Sequence, residues 1–136
     1  MGELYGLRSE RDGELQGWFH GERFDLFLWF EGDALVHLQV CAGNDVVDWK
    51  PSGLLPTASL RGRDSGGVGV QAARTDQVVE DHFVSAKRLE RAIHAVTSAS
   101  LPAPVRDFTL GALRREASTA TEADVLSAVR RLRAAG

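Results

Sequence analysis

His37, Gln39 and Cys41 alternate along one extended segment, so a strand sends all three side chains to the same side of a sheet. Asp25, on the preceding apolar segment, is the carboxylate best placed to join them. A thiol and an imidazole are the groups from which a nucleophile and its general base are built. Along an extended chain, however, His37 and Cys41 stand about 13 Å apart, too far for direct proton transfer. The cluster therefore suits a binding face better than a catalytic dyad, and buried structural polar residues are the plainer account of it. Trp18, Trp29 and Trp49 are candidate walls for such a face. The candidate ligand-binding set is Asp25, Trp29, His37, Gln39, Cys41 and Trp49.

Other chemical patterns fail on physical grounds. Arg63-Asp64-Ser65-Gly66-Gly67 has the lettering of a serine-nucleophile loop, but Arg63 stands where a glycine is needed and the chain is too short for two barrels. Gly67-Val68-Gly69-Val70-Gln71-Ala72 matches a dinucleotide fingerprint, yet a glycine-rich loop precedes it where a buried strand is required. His20, His37, His82 and His94 are too scattered for a local metal motif, and Cys41 has no cysteine partner, so no metal is expected and nothing demands a cofactor. Arg114, Arg115, Arg130, Arg131 and Arg133 fall near the ends of the last two expected helices. They admit an alternative of DNA binding through a helix-turn-helix. Cations at helix carboxyl ends also complement the macrodipole, and a pI near 5.8 argues against a strong counterion-release term.

The elements that must carry these residues change period halfway along the chain. Residues 1–75 read as mainly β and residues 76–136 as mainly α, in one domain. Glu14 to His20 alternates, with a turn expected at Gly21-Glu22. Phe24 to Glu31 is the strongest strand signal, and Gly32-Asp33 supplies a two-residue type II′ turn to a returning strand, Ala34 to Ala42. Without a bulge, Asp25, Phe27 and Trp29 share a face with Val36, Leu38 and Val40; a bulge or a three-residue loop instead puts them with His37, Gln39 and Cys41. Asp45 to Lys50 and Thr57 to Arg61 are further strands, and Val68 to Ala73 is a weak one. Apolar residues from Val79 through Phe83 and Ile93 to Val96 predict a helix capped by Asp76. A second helix starts at Pro102 and Pro104, and a third spans Glu122 to Ala134, with Thr119 or Thr121 opening a capping box. The expected fold is α+β: an antiparallel sheet of about five to six strands, followed by three helices packing on one face.

Composition sets the outer limits. The 136 residues carry 16 basic and 19 acidic side chains, a net charge of -3 and 43% hydrophobic residues, which suits one globular domain with its own core. The charge is uneven: residues 1–101 hold 10 basic and 15 acidic groups, against 6 and 4 in residues 102–136. A single cysteine excludes a disulfide scaffold and fits a reducing cytoplasm. Residues 1–15 alternate charges with single apolar residues, so neither a signal peptide nor a membrane span is expected.

Phe24-Asp25-Leu26-Phe27-Leu28-Trp29, then Leu38-Gln39-Val40-Cys41 and Trp49, resembles an uncharacterised family of small bacterial proteins with an FDL-x-x-W strand, an FQLC-like strand and a downstream Trp. Ser98-Ala99-Ser100-Leu101-Pro102 with Val105, Phe108 and Leu113 is similar to the end of that family. The likeness covers roughly residues 22–50 and 96–115; it supports the architecture and implies no mechanism. The functional expectation rests on the hairpin, which is apolar on both sides: a non-enzymatic cytoplasmic domain that associates with another protein or a second copy of itself. The alternative is a small-ligand binder or enzyme using the His37, Gln39, Cys41 and Asp25 face.

Overall fold

Two-residue turns organise the sheet in this computed structural model, which describes residues 4–60 and 78–135. Asp12-Gly13, with φ of 53° and 82°, joins β1 (Tyr5–Arg11) to β2 (Glu14–Gly21), the pair of positive angles that a type I′ turn requires. Glu22-Arg23 links β2 to β3 (Phe24–Glu31), one residue later than the expected Gly21-Glu22. Gly32-Asp33 and Gly43-Asn44 then connect β3 to β4 (Ala34–Ala42) and β4 to β5 (Asp45–Lys50). The result is a five-stranded antiparallel meander. On β5 lie both β6 (Gly53–Leu54) and β7 (Ala58–Leu60), and β8 (Val78–Glu80) pairs with β7. At the opposite edge β9 (Arg133–Ala134) runs parallel to β1.

The α+β order expected from the pattern is present, with α1 (Ala86–Ser98), α2 (Ala103–Arg114) and α3 (Glu122–Arg130) following the meander. Among the described residues the sheet has nine strands rather than five or six; β1, β6, β8 and β9 are the additions. All three helices cover the face formed by Phe19, Leu26, Leu28, Phe30, Leu35, Leu38 and Val40, which join Ala92, Val96, Val105, Leu113, Val125 and Val129 in one core. The glycine-rich segment around Arg63 to Ala73, with its serine-loop and dinucleotide lettering, its weak strand and Asp76, lies outside the described residues.

A bulge decides which residues share a face. Glu31 pairs with Ala34 and Phe30 with Leu35, as a two-residue turn dictates, but Trp29 pairs with His37, so Val36 is the extra residue. Beyond the bulge Leu38 and Val40 face the helices, and both are fully buried. A regular ladder would turn these two side chains to the other face, at about 1.5–3 kcal/mol each. That loss outweighs the one or two ladder hydrogen bonds a bulge disrupts, at about 0.5–1.5 kcal/mol each.

The helices differ from their expected bounds. α1 begins at Ala86 with Ser85 as its N-cap, because Thr57 holds the preceding segment, bent at His82 with φ of 68°, out of the helix: Asp81 N donates to Thr57 O, Thr57 N to Phe83 O, and Ser85 N to Thr57 Oγ1. Val79 and Phe83 are therefore exposed rather than part of a buried stripe, and His82 is not helical. α3 opens on the Thr121–Asp124 capping box but ends at Arg130 rather than Ala134. Leu132 O accepts from Arg8 Nε, and the chain continues as β9. Glycines let α3 lie close to the sheet: a Cβ on Gly17 would meet Val129 at 2.9 Å, and one on Gly6 would meet Leu132 at 2.6 Å.

An ion-pair cluster ties α1 to the sheet. Arg91 Nε and Arg88 Nη1 reach Asp45 at 2.6 and 2.7 Å, and Arg88 Nε reaches Asp81 at 2.8 Å. Burial alone would push the Asp45 carboxyl up, but the hydrogen bonds and charges of Arg91 and Arg88 outweigh it and hold the group below the usual range. Asp81 is lowered chiefly by the Thr57 hydroxyl and then by Arg88.

Candidate functional site

The face opposite the helices carries the polar groups, in three rows fixed by strand register. Tyr5, His20, Asp25, Cys41 and Val46 form one; Leu7, Trp18, Phe27, Gln39 and Asp48 the next; Ser9, Gln16, Trp29 and His37 the third. Five of the six candidate residues, Asp25, Trp29, His37, Gln39 and Cys41, thus share a face. Trp49 does not: it points to the helix side, edge-on to Phe108 at 5.7 Å. Its odd offset from Asp48 along β5 is the reason.

Two carboxylates organise the face. Asp25, fully buried, accepts at Oδ1 from Trp18 Nε1 at 2.9 Å and lies 2.6 Å from His20 Nδ1. Asp48 Oδ1 accepts from Gln39 Nε2 at 2.9 Å and lies 2.7 Å from His37 Nε2. Toward an ionised carboxylate, which only accepts, the facing imidazole nitrogen is the donor. Cys41 Sγ donates to Gln39 Oε1 at 3.5 Å. The path from Cys41 to His37 through the Gln39 amide and Asp48 is no proton relay, because an amide holds its protons. The thiol is fully buried. What would have been a nucleophile is an interior side chain.

Four rings stack across the same face. Trp18 and Phe27 lie 5.7 Å apart and 12° from parallel, Phe27 and Trp29 5.6 Å and 22°, and Trp29 and His37 4.4 Å and 16°. Trp18 also meets His20 at 5.1 Å. Phe27 is buried, while Trp18, Trp29, His20 and His37 remain partly open. Where the ladder ends, beside the bulge, a cavity of about 310 Å³ is lined by Glu14, Trp29, Glu31, Val36, His37 and Lys50.

Sequence reasoning missed Asp48 and the pairing of His20 with Asp25. The signal for Asp48 is turn arithmetic: a two-residue Gly43-Asn44 turn places Gln39 opposite Asp48. His20 was lost by placing the preceding turn one residue early, which misaligns it from Asp25. The arginines do not gather on one helix face. Arg114 ends α2, Arg115 caps it, Arg130 ends α3 3.6 Å from Asp33, Arg131 caps that helix, and Arg133 belongs to β9. Among the described residues no cluster of metal-ligating groups occurs. No described helix is long and apolar enough to cross a membrane.

No family model, curated protein or solved structure matches the chain.

Proposed function

We propose that this chain is a non-enzymatic binding domain that self-associates through the sheet face opposite its helices. The observation that carries this reading is the ladder of Trp18, Phe27, Trp29 and His37 on a face that no described helix covers, with both tryptophans partly open. Partly exposed aromatic residues held rigid by stacking and hydrogen bonds supply contact area at little entropic cost, and a two-fold pair uses the same patch on both copies. Burial of the Cys41 thiol argues against nucleophilic chemistry on this face. A single cysteine in the chain fits a cytoplasmic setting.

Sedimentation equilibrium of the full chain across the micromolar range tests the proposal, alongside Trp29→Ala and an exposed-face control, Glu90→Gln on α1. A concentration-dependent dimer that Trp29→Ala weakens and Glu90→Gln leaves intact is the expected result. A monomer throughout, or a dimer indifferent to Trp29, overturns it.

A further inference from the structure

The bulge at Val36 sets the register and also borders the cavity beside Trp29. Bulges commonly re-aim side chains next to sites. The lining of this cavity is polarised. Lys50 follows Trp49 on β5 and so stands beside His37, whose imidazole is held by Asp48, and supplies the cation of one end. Glu14 and Glu31 face each other directly across β2 and β3 and form the other end. Like charges directly opposite are unfavourable in a sheet. Arg11 stands across from Glu14 on β1, yet among the described residues no ion pair joins it to Glu14, and Lys50, Glu14 and Glu31 are likewise without one.

Strand geometry explains why the two ends do not neutralise each other and what would bridge them. Glu31 and Lys50 are separated by two strand spacings of about 4.8 Å and by two residues of about 3.4 Å, placing their Cβ atoms about 12 Å apart. Two charge-assisted hydrogen bonds of about 2.8 Å, with an intervening carboxylate and ammonium about 3 Å apart, span roughly 8–9 Å between the two heads, which the side chains reach without strain. Cavities of about 300–1,000 Å³ accommodate small ligands, and this one lies at the lower end.

We propose that the cavity at the Val36 bulge binds a small zwitterion of the α-amino-acid class. The carboxylate lies at Lys50, the ammonium lies between Glu14 and Glu31, and the side chain rests against Trp29 and Val36. An ammonium there offsets the repulsion of the two glutamates, and the carboxylate gives Lys50 the partner it lacks. Trp29 and His37 are shared with the self-association face, whereas Lys50, Glu14 and Glu31 lie outside its ring ladder, so ligand derivatives paired with changes at Lys50 and Glu31 test this site separately from dimerisation.

Calorimetric titration of the full chain with L-glutamine, L-methionine and L-phenylalanine tests it, each beside its N-acetyl and carboxamide derivatives and followed by amide and indole chemical shifts. Saturable binding of at least one free amino acid is expected, weakened about tenfold or more by either derivatisation, with shifts centred on Trp29 and His37. Lys50→Met removes the discrimination against the carboxamide, and Glu31→Gln removes that against the N-acetyl form; both positions are exposed, so the fold is retained. Absence of saturable binding, equal binding of the derivatives, or shifts elsewhere on the molecule overturns the proposal.

Discussion

Deleting Val36 is expected to leave stability nearly unchanged, whereas deleting Gln39, three residues on in the same strand, is expected to destabilise the fold severely. Val36 is the one residue of β4 without a counterpart on β3. Its removal brings His37 directly after Leu35, and the alternation Ala34 out, Leu35 in, His37 out, Leu38 in then continues without interruption. Every core side chain keeps its place. The ladder regains the pairing the bulge disrupted, worth about 0.5–1.5 kcal/mol, and loses the half-buried Val36 side chain, worth about 1 kcal/mol, so stability changes by less than about 1 kcal/mol. Deletion of Gln39 has no such exit. Either Val40 and Ala42 turn outward, or the bulge is consumed and Leu38 turns outward while His37 turns into the core. Leu38 and Val40 are fully buried, and exposing either costs about 1.5–3 kcal/mol, to which a buried unpartnered polar group adds about 1–3 kcal/mol. The sum, about 2.5–6 kcal/mol, is a large share of the roughly 5–15 kcal/mol by which a domain is stable. Urea titration followed by tryptophan fluorescence measures both variants. Equal destabilisation by the two deletions would refute the register argument, and the Val36 deletion should also close the cavity and abolish amino-acid binding.

Asp45→Asn should cost about 2–3 kcal/mol at neutral pH, less than the 3–5 expected for a fully enclosed pair because the Arg91 partner is largely open to water. Since the folded-state group is held below its ordinary value, its contribution is complete above about pH 5 and fades as pH falls through the folded value. Thermal melts of wild type and variant should therefore converge toward acid; a gap constant with pH contradicts this. Gly17→Ala drives a Cβ to 2.9 Å from Val129 and is expected to destabilise by about 1–3 kcal/mol through displacement of α3, read as a lowered urea midpoint, with an unchanged midpoint counting against it. Cys41 should react with an aromatic disulfide reagent only as fast as the protein opens, and much faster in denaturant; rapid native labelling would show that the thiol is not interior.

The architecture was legible where residues alternate strongly and turns are short. Phe24 to Ala42 announced its hairpin, and Val125, Leu126 and Val129 announced α3, because apolar period reports directly on which side is buried. β1 was not legible, since Tyr5, Leu7 and Ser9 face the partly open side while Gly6, Arg8 and Glu10 occupy the other, leaving no apolar contrast along the strand. β9 is two residues long and exists through pairing with β1, a contact made by the fold and invisible in a local window. The early start assigned to α1 failed because Thr57, far off in sequence, supplies the bonds that hold Asp81 and Phe83 out of a helix. At the candidate site the row of His37, Gln39 and Cys41 followed from alternation alone. Their carboxylate partners required exact registers across two turns, and one of those turns was misplaced by a single residue.

The parallel pairing of β9 with β1 also dictates a timetable. Arg8 and Leu132, joined by a hydrogen bond, are separated by 124 residues. Closing a loop of that length is entropically costly and is compensated only by contacts already in place. As the chain is synthesised, the meander and the first two helices can assemble while the outer edge of β1 is bare. An uncovered edge strand is a template for pairing with other chains. The window for misassembly therefore stays open until the segment after α3 arrives, so a two-residue strand with negligible core of its own sets how long a nascent molecule must be kept apart from its neighbours.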